Sequence, residues 1–478
     1  MAAPYGMRGN DLSEEKQMPL SLQAKMDRIP NLVDYFRNLS GGNSPSAFPV
    51  VPAEFSNWRD EQRAWLESVV LLDQTHHMYY EYMRGKDILK LLNKVAANSF
   101  RSFEVDRGKQ IVCCSPDGYL IGDGILFHLE EEEVMCVGRA IVPNWLRYNA
   151  EVEGYDIEFK REARSPSLSM GREVRRSVYR YQIQVPKAAD LITKLNGGRP
   201  VDLKFFHMGH MTIAGRAVRA LRHGMAGVPG LEIWGPFDEW EEVRAAILEA
   251  GKEFGIVPVG NKGYSSATFG SGWISSALPA IYTGEAMRPY REWLTADSYE
   301  ANSPLGGSFV SARIEDYYVT PFELGYGHIV KFDHDFVGRD ALERMDISAQ
   351  RRKVTFEWNA DDVGRIFASY FQTEQLPYKW IDLPRADYTA HDYDTVLHHG
   401  RPIGLSMLTG YDFNYRAMLS LGIVGPETAD DSEVSIVWGE PNGGTAKPAV
   451  EAHRQVEVRA KVKPVPYART TDRRAIAA

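Results

Sequence analysis

The chain has 478 residues, which is enough for roughly three domains of ordinary size. Its 55 basic and 64 acidic side chains give a net charge of -9, and no long basic stripe offsets that charge. Neither nucleic acid nor an anionic membrane surface is therefore an expected partner. The absence of an apolar leader, of a membrane-length apolar run and of any Cys-x-x-Cys pair predicts a cytoplasmic protein without structural zinc or a disulfide framework.

The first part of the chain predicts an extension followed by a mixed unit. Residues 1–45 are polar and end in a Gly/Ser/Asn-rich stretch, which is typical of a flexible N-terminal extension. The next unit, over 46–165, contains an apolar run of helical period that begins over 85–92. An order of strands and helix like this one is typical of a split βαβ, ferredoxin-like unit. Its clearest strands are predicted over 119–127 and 134–137.

A second unit, predicted over 166–345, follows the same succession of strands and helices. The repeat lies in the order of the elements, because the residues themselves show none. The predicted elements are a strand over 179–185, a helix over 188–195, a hairpin over 211–221, a strand over 231–234 and an amphipathic helix over 238–254.

Short alternating strands separated by turns fill the third region, 346–466, and predict a small antiparallel β-barrel. Two of these strands are predicted over 434–438 and 456–462, and a Pro-Asn-Gly-Gly turn lies between them. The last residues, 467–478, form a polar tail. The expected fold class is α+β, with two ferredoxin-like halves and a C-terminal barrel domain.

One tyrosine and one tryptophan, Tyr264 and Trp273, stand out in the Gly/Ser-rich stretch 257–273, which we interpret as a loop after a strand. The chain contains 24 tyrosines and 10 tryptophans, and any single one most often belongs to a core or to its rim. Residue type alone therefore leaves both a structural and a catalytic role open for Tyr264.

A single carboxylate, Glu232, interrupts an apolar strand and needs a partner, because an unpaired buried charge is very costly. Residue types slightly favour an arginine such as Arg219 or Arg222. A bound ligand with N–H donors would serve as well. Asp123, which lies in another mostly apolar strand, poses the same question.

Four further polar residues are candidates for a site. Arg139 follows a predicted strand, where its planar fork can hold a carboxylate, although an arginine in that place is more often only solvated. Adjacent strand residues face opposite ways, so His76 and His77 are not expected to bind one metal, and no metal site is predicted. His76 is interpreted as a core residue, whereas Gln74 and His77 fit a core or a pocket wall equally well.

Several longer segments resemble one superfamily when they are taken in order along the chain. They are Gly-Tyr-Leu-Ile-Gly-Asp-Gly-Ile over 118–125, a hairpin and strand over 205–234, Pro-Phe-Glu-Leu-Gly-Tyr-Gly-His-Ile-Val-Lys over 321–331, Phe-Val-Gly-Arg-Asp-Ala-Leu over 336–342, and 404–424. They are similar to the aminomethyltransferase (glycine-cleavage T-protein) superfamily, over roughly 50–465. The resemblance implies a three-domain cloverleaf around a central tetrahydrofolate.

Shorter motifs narrow the resemblance. They are Phe-Ser-Asn-Trp-Arg over 55–59, Asp-Gln-Thr-His-His-Met over 73–78, Val-Gly-Arg-Ala over 137–140, Leu-Arg-His-Gly-Met-Ala-Gly over 221–227 and Gly-Ser-Phe-Val-Ser over 307–311. With them the chain resembles the bacterial tetrahydrofolate-dependent aryl O-demethylases, which act on lignin-derived methoxybenzoates. This implies a small aromatic acid as substrate and tetrahydrofolate as methyl acceptor, with 5-methyltetrahydrofolate and a free phenol as products. It implies no particular oligomeric state.

The resemblance also implies a role for each candidate residue. Tyr264 is implied to be the catalytic acid, and a tyrosine pKa near ~10 suits a phenol leaving group of similar pKa. The residues implied to line the aromatic acid's site are Arg139, Gln74, His77, Trp273 and Phe48, and those implied to hold the folate are Glu232, Asp123 and Trp273.

Phe48 bears on the choice of substrate. It stands where the vanillate-type enzymes carry tyrosine, and the missing hydroxyl leaves an apolar spot that suits a second methoxy group. We therefore expect syringate rather than vanillate or 3-O-methylgallate. Two different functions also stay open. One is an aminomethyltransferase-like enzyme, which the resemblance disfavours because Arg139 replaces an expected asparagine, and the second is a non-catalytic folate-binding protein.

Overall fold

The computed structural model of the protein describes residues 19–40, 48–165, 175–184, 186–224, 230–275 and 277–467. These residues form a five-stranded sheet, a six-stranded sheet, a two-stranded sheet and a closed six-stranded barrel, which confirms the α+β class and the C-terminal barrel. The strands are β1 (Val69–Asp73), β2 (Tyr79–Arg84), β3 (Gly108–Cys114), β4 (Leu120–Glu130), β5 (Glu133–Gly138), β6 (Glu158–Glu162), β7 (Val178–Gln184), β8 (Met208–Ile213), β9 (Arg216–Arg222), β10 (Gly230–Pro236), β11 (Ile256–Val259), β12 (Leu305–Gly306), β13 (Arg352–Trp358), β14 (His391–Asp392), β15 (Asp394–His398), β16 (Arg401–Asp412), β17 (Ala417–Val424), β18 (Glu433–Trp438) and β19 (Val456–Lys463). The helices are α1 (Leu22–Met26), α2 (Leu32–Arg37), α3 (Trp58–Glu67), α4 (Ile88–Val95), α5 (Ile141–Glu153), α6 (Ala188–Leu195), α7 (Trp240–Gly251), α8 (Asn261–Ser266), α9 (Thr268–Ser271), α10 (Arg288–Trp293), α11 (Arg339–Arg344) and α12 (Ala360–Ala368).

The two larger sheets repeat one succession of elements. The first runs β2-α4-β3-β4-β5-α5-β6 and the second runs β7-α6-β8-β9-β10-α7-β11. Their strand orders are β3-β4-β5-β2-β6 and β8-β9-β10-β7-β1-β11. The predicted twofold repeat is therefore present, and the first half contains one strand between its helices, β3, that the sequence did not predict.

Strand β1 is the exception to this repeat. It precedes β2 in the chain, yet it inserts into the second sheet, antiparallel to β7 and parallel to β11. The proposed boundary at residues 165 and 166 therefore separates stretches of chain rather than sheets.

Apolar spacing explains how the helices cover the sheets. In α4 the residues Ile88, Leu91, Leu92 and Val95 are all buried. Their i, i+3, i+4, i+7 spacing puts them on one stripe of the helix. That stripe joins the main hydrophobic core, in which the strands of the first sheet also bury their side chains.

Strict alternation explains the barrel. Along β19 the side chains of Val456, Val458, Ala460 and Val462 are buried, and those between them face outward. The barrel closes in the order β13-β17-β16-β15-β18-β19. The predicted strands over 434–438 and 456–462 are both confirmed.

The Gly/Ser-rich stretch after β11 is helical, so the prediction of a loop over 257–273 is wrong. Helices α8 and α9 occupy 261–271. Their serines donate to backbone carbonyls three residues earlier, as Ser266 Oγ does to Gly263 O at 2.8 Å. Gly263 also lets the helix approach β11, because a Cβ there would lie 2.7 Å from Val259 Cγ1. Local hydrogen bonds and close packing therefore fold a stretch whose composition is typical of a loop.

The predicted flexible extension over 1–45 is wrong for residues 19–40. Helices α1 and α2 lie there, and Leu22 and Phe36 are buried in the main core. Asn31 caps α2 by accepting a hydrogen bond from Asp34 N at 3.0 Å. Residues 1–18 and 41–47 lie outside the described part of the chain, as do 468–478 of the predicted tail.

Candidate active site

A cavity of about 400 Å³ is lined by both larger sheets, by α8 and α9, and by the segment that leads into the barrel. This one cavity brings together all of the candidate site residues predicted from the sequence. They are Tyr264, Arg139, Gln74, His77, Trp273, Phe48, Glu232 and Asp123.

Tyr264 projects from α8 into a set of polar and aromatic side chains. Its hydroxyl lies 3.3 Å from His77 Nε2 and accepts a hydrogen bond from Gln74 Nε2 at 3.4 Å. The ring of Phe48 meets its ring edge-on, with the centroids 4.5 Å apart. Burial raises the pKa of the Tyr264 hydroxyl, and Arg180 offsets part of that rise. The hydroxyl is therefore protonated, and a proton donor, at neutral pH.

His77 is a neutral imidazole. Burial and then the charge of Arg180 lower its pKa well below the usual value. Its ring stacks on Phe48 with the centroids 4.1 Å apart, and its Nδ1 has no hydrogen-bond partner among the described residues. A neutral imidazole both donates and accepts, so the Nε2 beside Tyr264 can take either role.

Glu232 is paired with an arginine, but not with either one that the sequence suggested. Arg180 lies on β7, the strand next to β10. It donates from Nε to Glu232 Oε1 at 2.8 Å and makes a second contact through Nη2. The suggested Arg219 pairs with Asp106 instead, at 2.6 Å, and Arg222 donates to a backbone carbonyl. Register places Arg180 and Arg219 alike, since both lie opposite Trp234 on the two strands that flank β10. Arg219 is held by Asp106 and by Leu129 O, and Arg180 pairs with the carboxylate.

Arg180 was not predicted as a site residue, although the sequence contains a signal for it. In β7 the polar side chains of Arg180, Gln182 and Gln184 are all buried, at alternate positions. Period-two alternation places them on one face of the strand, opposite Tyr179, Tyr181 and Ile183. Gln182 Oε1 accepts from Gln74 Nε2 at 3.0 Å, so this buried polar face extends to the group that contacts Tyr264.

Two buried nitrogens beside Glu232 lack partners within the described part of the chain. They are Arg180 Nη1 and His223 Nδ1, and both residues line the cavity. His223 Nδ1 lies 3.6 Å from Glu232 Oε2. Burial lowers the pKa of His223, although Glu232 acts to raise it. A polar ligand of the cavity can satisfy both nitrogens.

Asp123 is held by three donors at another part of the wall. Its Oδ2 accepts from Gln110 Nε2 at 2.8 Å, from the Tyr326 hydroxyl at 3.0 Å and from Trp273 Nε1 at 3.1 Å. These three bonds all go to one oxygen, and they fix the indole of Trp273 in the wall. The predicted pairing of this tryptophan and this acid in one site is consistent with the direct contact.

Arg139 lies at the end of β5, where its Nη2 is 3.5 Å from Ser275 Oγ. Arg164, Arg385 and Asp387 also line the cavity, and none of the three was predicted from the sequence. Arg385 and Asp387 form an ion pair at 2.5 Å, and Arg385 Nη1 donates to Ser265 O at 2.8 Å. The barrel region is thus bonded to the residue that follows Tyr264.

Two kinds of feature are absent from the described residues. None of the helices there combines the length and apolar character that a membrane crossing requires. The same residues contain no group of three or more His, Cys, Asp or Glu side chains placed to hold a metal ion.

Comparison with known proteins decides the family. Residues 31–277 match the GCVT N-terminal domain. The chain belongs to the GCVT, or aminomethyltransferase, family. It is 44% identical to a syringate O-demethylase from Sphingobium sp., covering 94% of this chain and 96% of that protein. It is also 29% identical to a sesamin methylene transferase from Sinomonas sp., over 88% and 91%.

A solved structure agrees on the fold. The glycine cleavage system aminomethyltransferase T from Bartonella henselae matches with a TM-score of 0.56 at 14% identity, covering 93% of this chain and 96% of that one. This confirms the predicted superfamily fold. The family and its relatives make the chain a methyl-transferring enzyme with tetrahydrofolate as the methyl acceptor.

The residues of the cavity fit tetrahydrofolate. A pterin ring presents N–H donors and lone-pair acceptors at its edge, which match the carboxylate of Glu232 and the two unpartnered nitrogens of Arg180 and His223. The flat walls provided by Phe206 and Trp273 suit a planar ring.

Proposed function

We propose that the protein is a tetrahydrofolate-dependent aryl O-demethylase that removes a methyl group from a methoxybenzoate, with syringate as the favoured substrate. The observation that carries this proposal is the hydroxyl of Tyr264, held by Gln74 and His77 in a cavity that also contains Arg139. The relative from Sphingobium sp., called syringate O-demethylase, supports it.

In the proposed reaction Tyr264 is the general acid. An aryl methyl ether is unreactive because its leaving group is a phenolate, and protonation of the ether oxygen as the C–O bond breaks removes that difficulty. Burial raises the pKa of Tyr264, so its hydroxyl keeps the proton until the leaving oxygen becomes basic enough to take it. Tetrahydrofolate supplies the nitrogen, N5, that takes the methyl group. General acid catalysis of this kind contributes about 10²–10⁴-fold in rate.

Gln74 and His77 are proposed to orient the hydroxyl of Tyr264. The Gln74 amide donates to its oxygen, which leaves the hydroxyl proton free to point at the substrate or at His77 Nε2. A neutral His77 can accept the hydroxyl hydrogen bond at Nε2, which orients the proton without removing it.

Arg139 and Phe48 are proposed to select the substrate. A guanidinium binds a carboxylate through two parallel hydrogen bonds, and Arg139 has no carboxylate partner among the described residues. Phe48 gives the wall an apolar surface beside Tyr264. Burial of a second methoxy group against that surface carries no penalty in free energy, because its methyl group is apolar. Arg139 suits the carboxylate that all three acids share, and Phe48 favours syringate over vanillate and 3-O-methylgallate.

One incubation tests the function. Purified protein, tetrahydrofolate and each of the three methoxybenzoates are combined, and the demethylated acid and 5-methyltetrahydrofolate are measured. We expect both products in equal amounts, with the highest kcat/KM for syringate. Tight folate binding without either product would instead favour a non-catalytic folate-binding protein. Methyl transfer that prefers vanillate would overturn only the substrate assignment.

We place this activity in the cytoplasm, which the three free cysteines support.

A further inference from the structure

Two arginines flank the same position of the first sheet, one on either side of β2. Gly138 of β5 pairs with Tyr79, and Glu162 of β6 pairs with Tyr80 on the other side. When both antiparallel registers are continued beyond these pairs, Arg139 and Arg164 each fall opposite Met78. Both arginines line the cavity, as Met78 does.

These two arginines differ from the others of the cavity in their partners. Of the four arginines that line it, Arg180 is paired with Glu232 and Arg385 with Asp387. Arg139 and Arg164 have no ion-pair partner within the described residues, and both are half-buried. A guanidinium that is partly removed from water gains most from an anionic ligand.

The spacing of the two positions suits a single small anion between them. Strands on either side of a common neighbour lie about 9–10 Å apart. Two long arginine side chains can span that gap from opposite sides. Tyr79, which follows Met78, also lines the cavity. The positive charge of Arg164 is felt at both Tyr79 and His77, where it acts to lower the pKa of each side chain. Arg164 therefore lines the cavity close enough to His77 for its charge to act there.

We propose that Arg164 is a second carboxylate-binding residue, which forms with Arg139 a two-arginine clamp on the carboxylate of the aromatic acid. This inference rests on the proposed function for the identity of the ligand. The clamp makes the carboxylate a requirement for tight binding, so neutral methoxyphenols with the same ring are expected to bind poorly. It also fixes the ring from two sides, which orients the methoxy group towards Tyr264.

The test compares two ligands that differ only in the carboxylate. Syringate and 2,6-dimethoxyphenol are titrated into wild-type protein and into Arg164→Gln, by calorimetry, with tetrahydrofolate both absent and present. We expect the Kd of syringate to rise at least 10-fold in the variant, because hydrogen bonds between charged groups are the strong ones. The Kd of 2,6-dimethoxyphenol should change less than twofold.

Matched variants separate the clamp from general effects. Lys160→Gln removes one positive charge from an exposed position of β6, the strand that leads to Arg164, and should leave both Kd values unchanged. Arg164→Lys keeps the charge without the fork, so it should restore part of the syringate affinity. In turnover experiments Arg164→Gln should raise KM far more than it lowers kcat.

Two outcomes would overturn the clamp. One is a syringate Kd within twofold of the wild-type value in Arg164→Gln, and the other is an equal loss of affinity for both ligands. Failure of the proposed function looks different. If wild-type protein binds syringate in an Arg164-dependent manner but forms no 5-methyltetrahydrofolate, the clamp stands and the demethylase activity does not.

Discussion

At the scale of single residues, the chemistry depends on where one hydroxyl lies and on what surrounds it. Tyr264 contacts a primary amide and a neutral imidazole, and among the described residues it has no carboxylate within hydrogen-bond distance. Burial in this environment raises the pKa of the hydroxyl and so stabilises the neutral phenol over the tyrosinate. It suits an acid that acts only when a basic oxygen forms beside it.

Replacement of Tyr264 by phenylalanine should abolish the proton transfer and leave the shape of the cavity intact. We expect kcat to fall about 10²–10⁴-fold, with the Kd of syringate changed less than threefold. Single-turnover formation of 5-methyltetrahydrofolate measures the rate. Tyr155→Phe, which removes a hydroxyl outside the cavity lining, is the control and should retain wild-type turnover. Normal turnover in Tyr264→Phe would remove this residue from the mechanism.

The ionisation of Tyr264 can be measured directly. Because burial raises its pKa above the usual value near 10, the hydroxyl should stay protonated as the pH rises from 8 to 10. The difference in ultraviolet absorbance between wild-type protein and Tyr264→Phe isolates this one group. That difference should show no tyrosinate below pH 10, and a tyrosinate signal with a midpoint below 10 would contradict the assigned environment.

The residues singled out in the sequence line one cavity, but their bonding was predicted poorly. Glu232 and Asp123 were recognisable as single acids in apolar strands, and both line the cavity. The choice of Arg180 rather than Arg219 as the partner of Glu232 depends on a tertiary contact, because both arginines lie opposite Trp234 and Arg219 is paired with Asp106. Arg164 carried no local signal, because only the sheet places it beside Arg139.

At the scale of elements, helix α8 holds Tyr264 at the cavity, and the barrel region holds α8. Arg385 Nη1 donates to Ser265 O at 2.8 Å and lies 3.2 Å from Thr268 Oγ1. These bonds join the end of α8 to the start of α9. Composition alone predicted a loop here because glycine and serine favour turns, and the tertiary contacts that override this preference lie far away in the sequence.

Arg385→Gln should remove the hydrogen bonds that hold α8 and α9 to the barrel region. We expect kcat to fall about 10²-fold, since a displacement of the reacting group by about 1 Å is enough for such a loss, while the fold is retained. Steady-state kinetics and a thermal melt measure the two effects. Arg352→Gln breaks a comparable bond between the barrel and Asp430 and is the control. If both variants keep wild-type kcat, the bond to Ser265 does not position Tyr264.

At the scale of the whole molecule, a buried ion pair joins the barrel to the chain that leads into it. Lys379 Nζ donates to Glu440 Oε1 at 2.8 Å, and Gly307 N donates to the same oxygen at 3.1 Å. Both charged side chains are almost completely buried. Burial raises the pKa of Glu440, but the ammonium of Lys379 outweighs burial and lowers that pKa to about 2.

Glu440→Gln should destabilise the protein because it removes the ion-pair partner of the buried Lys379 ammonium. We expect the free energy of unfolding at pH 7 to fall by about 3–5 kcal/mol, measured by urea unfolding. A carboxylate with a lowered pKa stabilises the fold above its unfolded value of 4.5 and loses that contribution as the pH falls towards 2. The difference between wild type and variant should therefore shrink below pH 4.5. Glu433→Gln, on the exposed side of β18, should change stability by less than about 1 kcal/mol.

The overall architecture was also only partly predictable. The repeated order of strands and helices follows from local periodicity, and both halves and the barrel are present. The insertion of β1 between β7 and β11 has no local signature, because it is a pairing between residues more than a hundred positions apart.

That insertion has a mechanical consequence. The chain leaves the second sheet at Asp73 and enters the first at Tyr79, so the short link between them ties the two halves together. Gln74 and His77 both sit on this link. Gln74 N donates to Arg180 O of β7 at 2.8 Å, so this end of the link is fixed to the sheet from which α8 follows. The link therefore sets the spacing of the two walls of the cavity, and the surroundings of Tyr264 depend on both sheets at once.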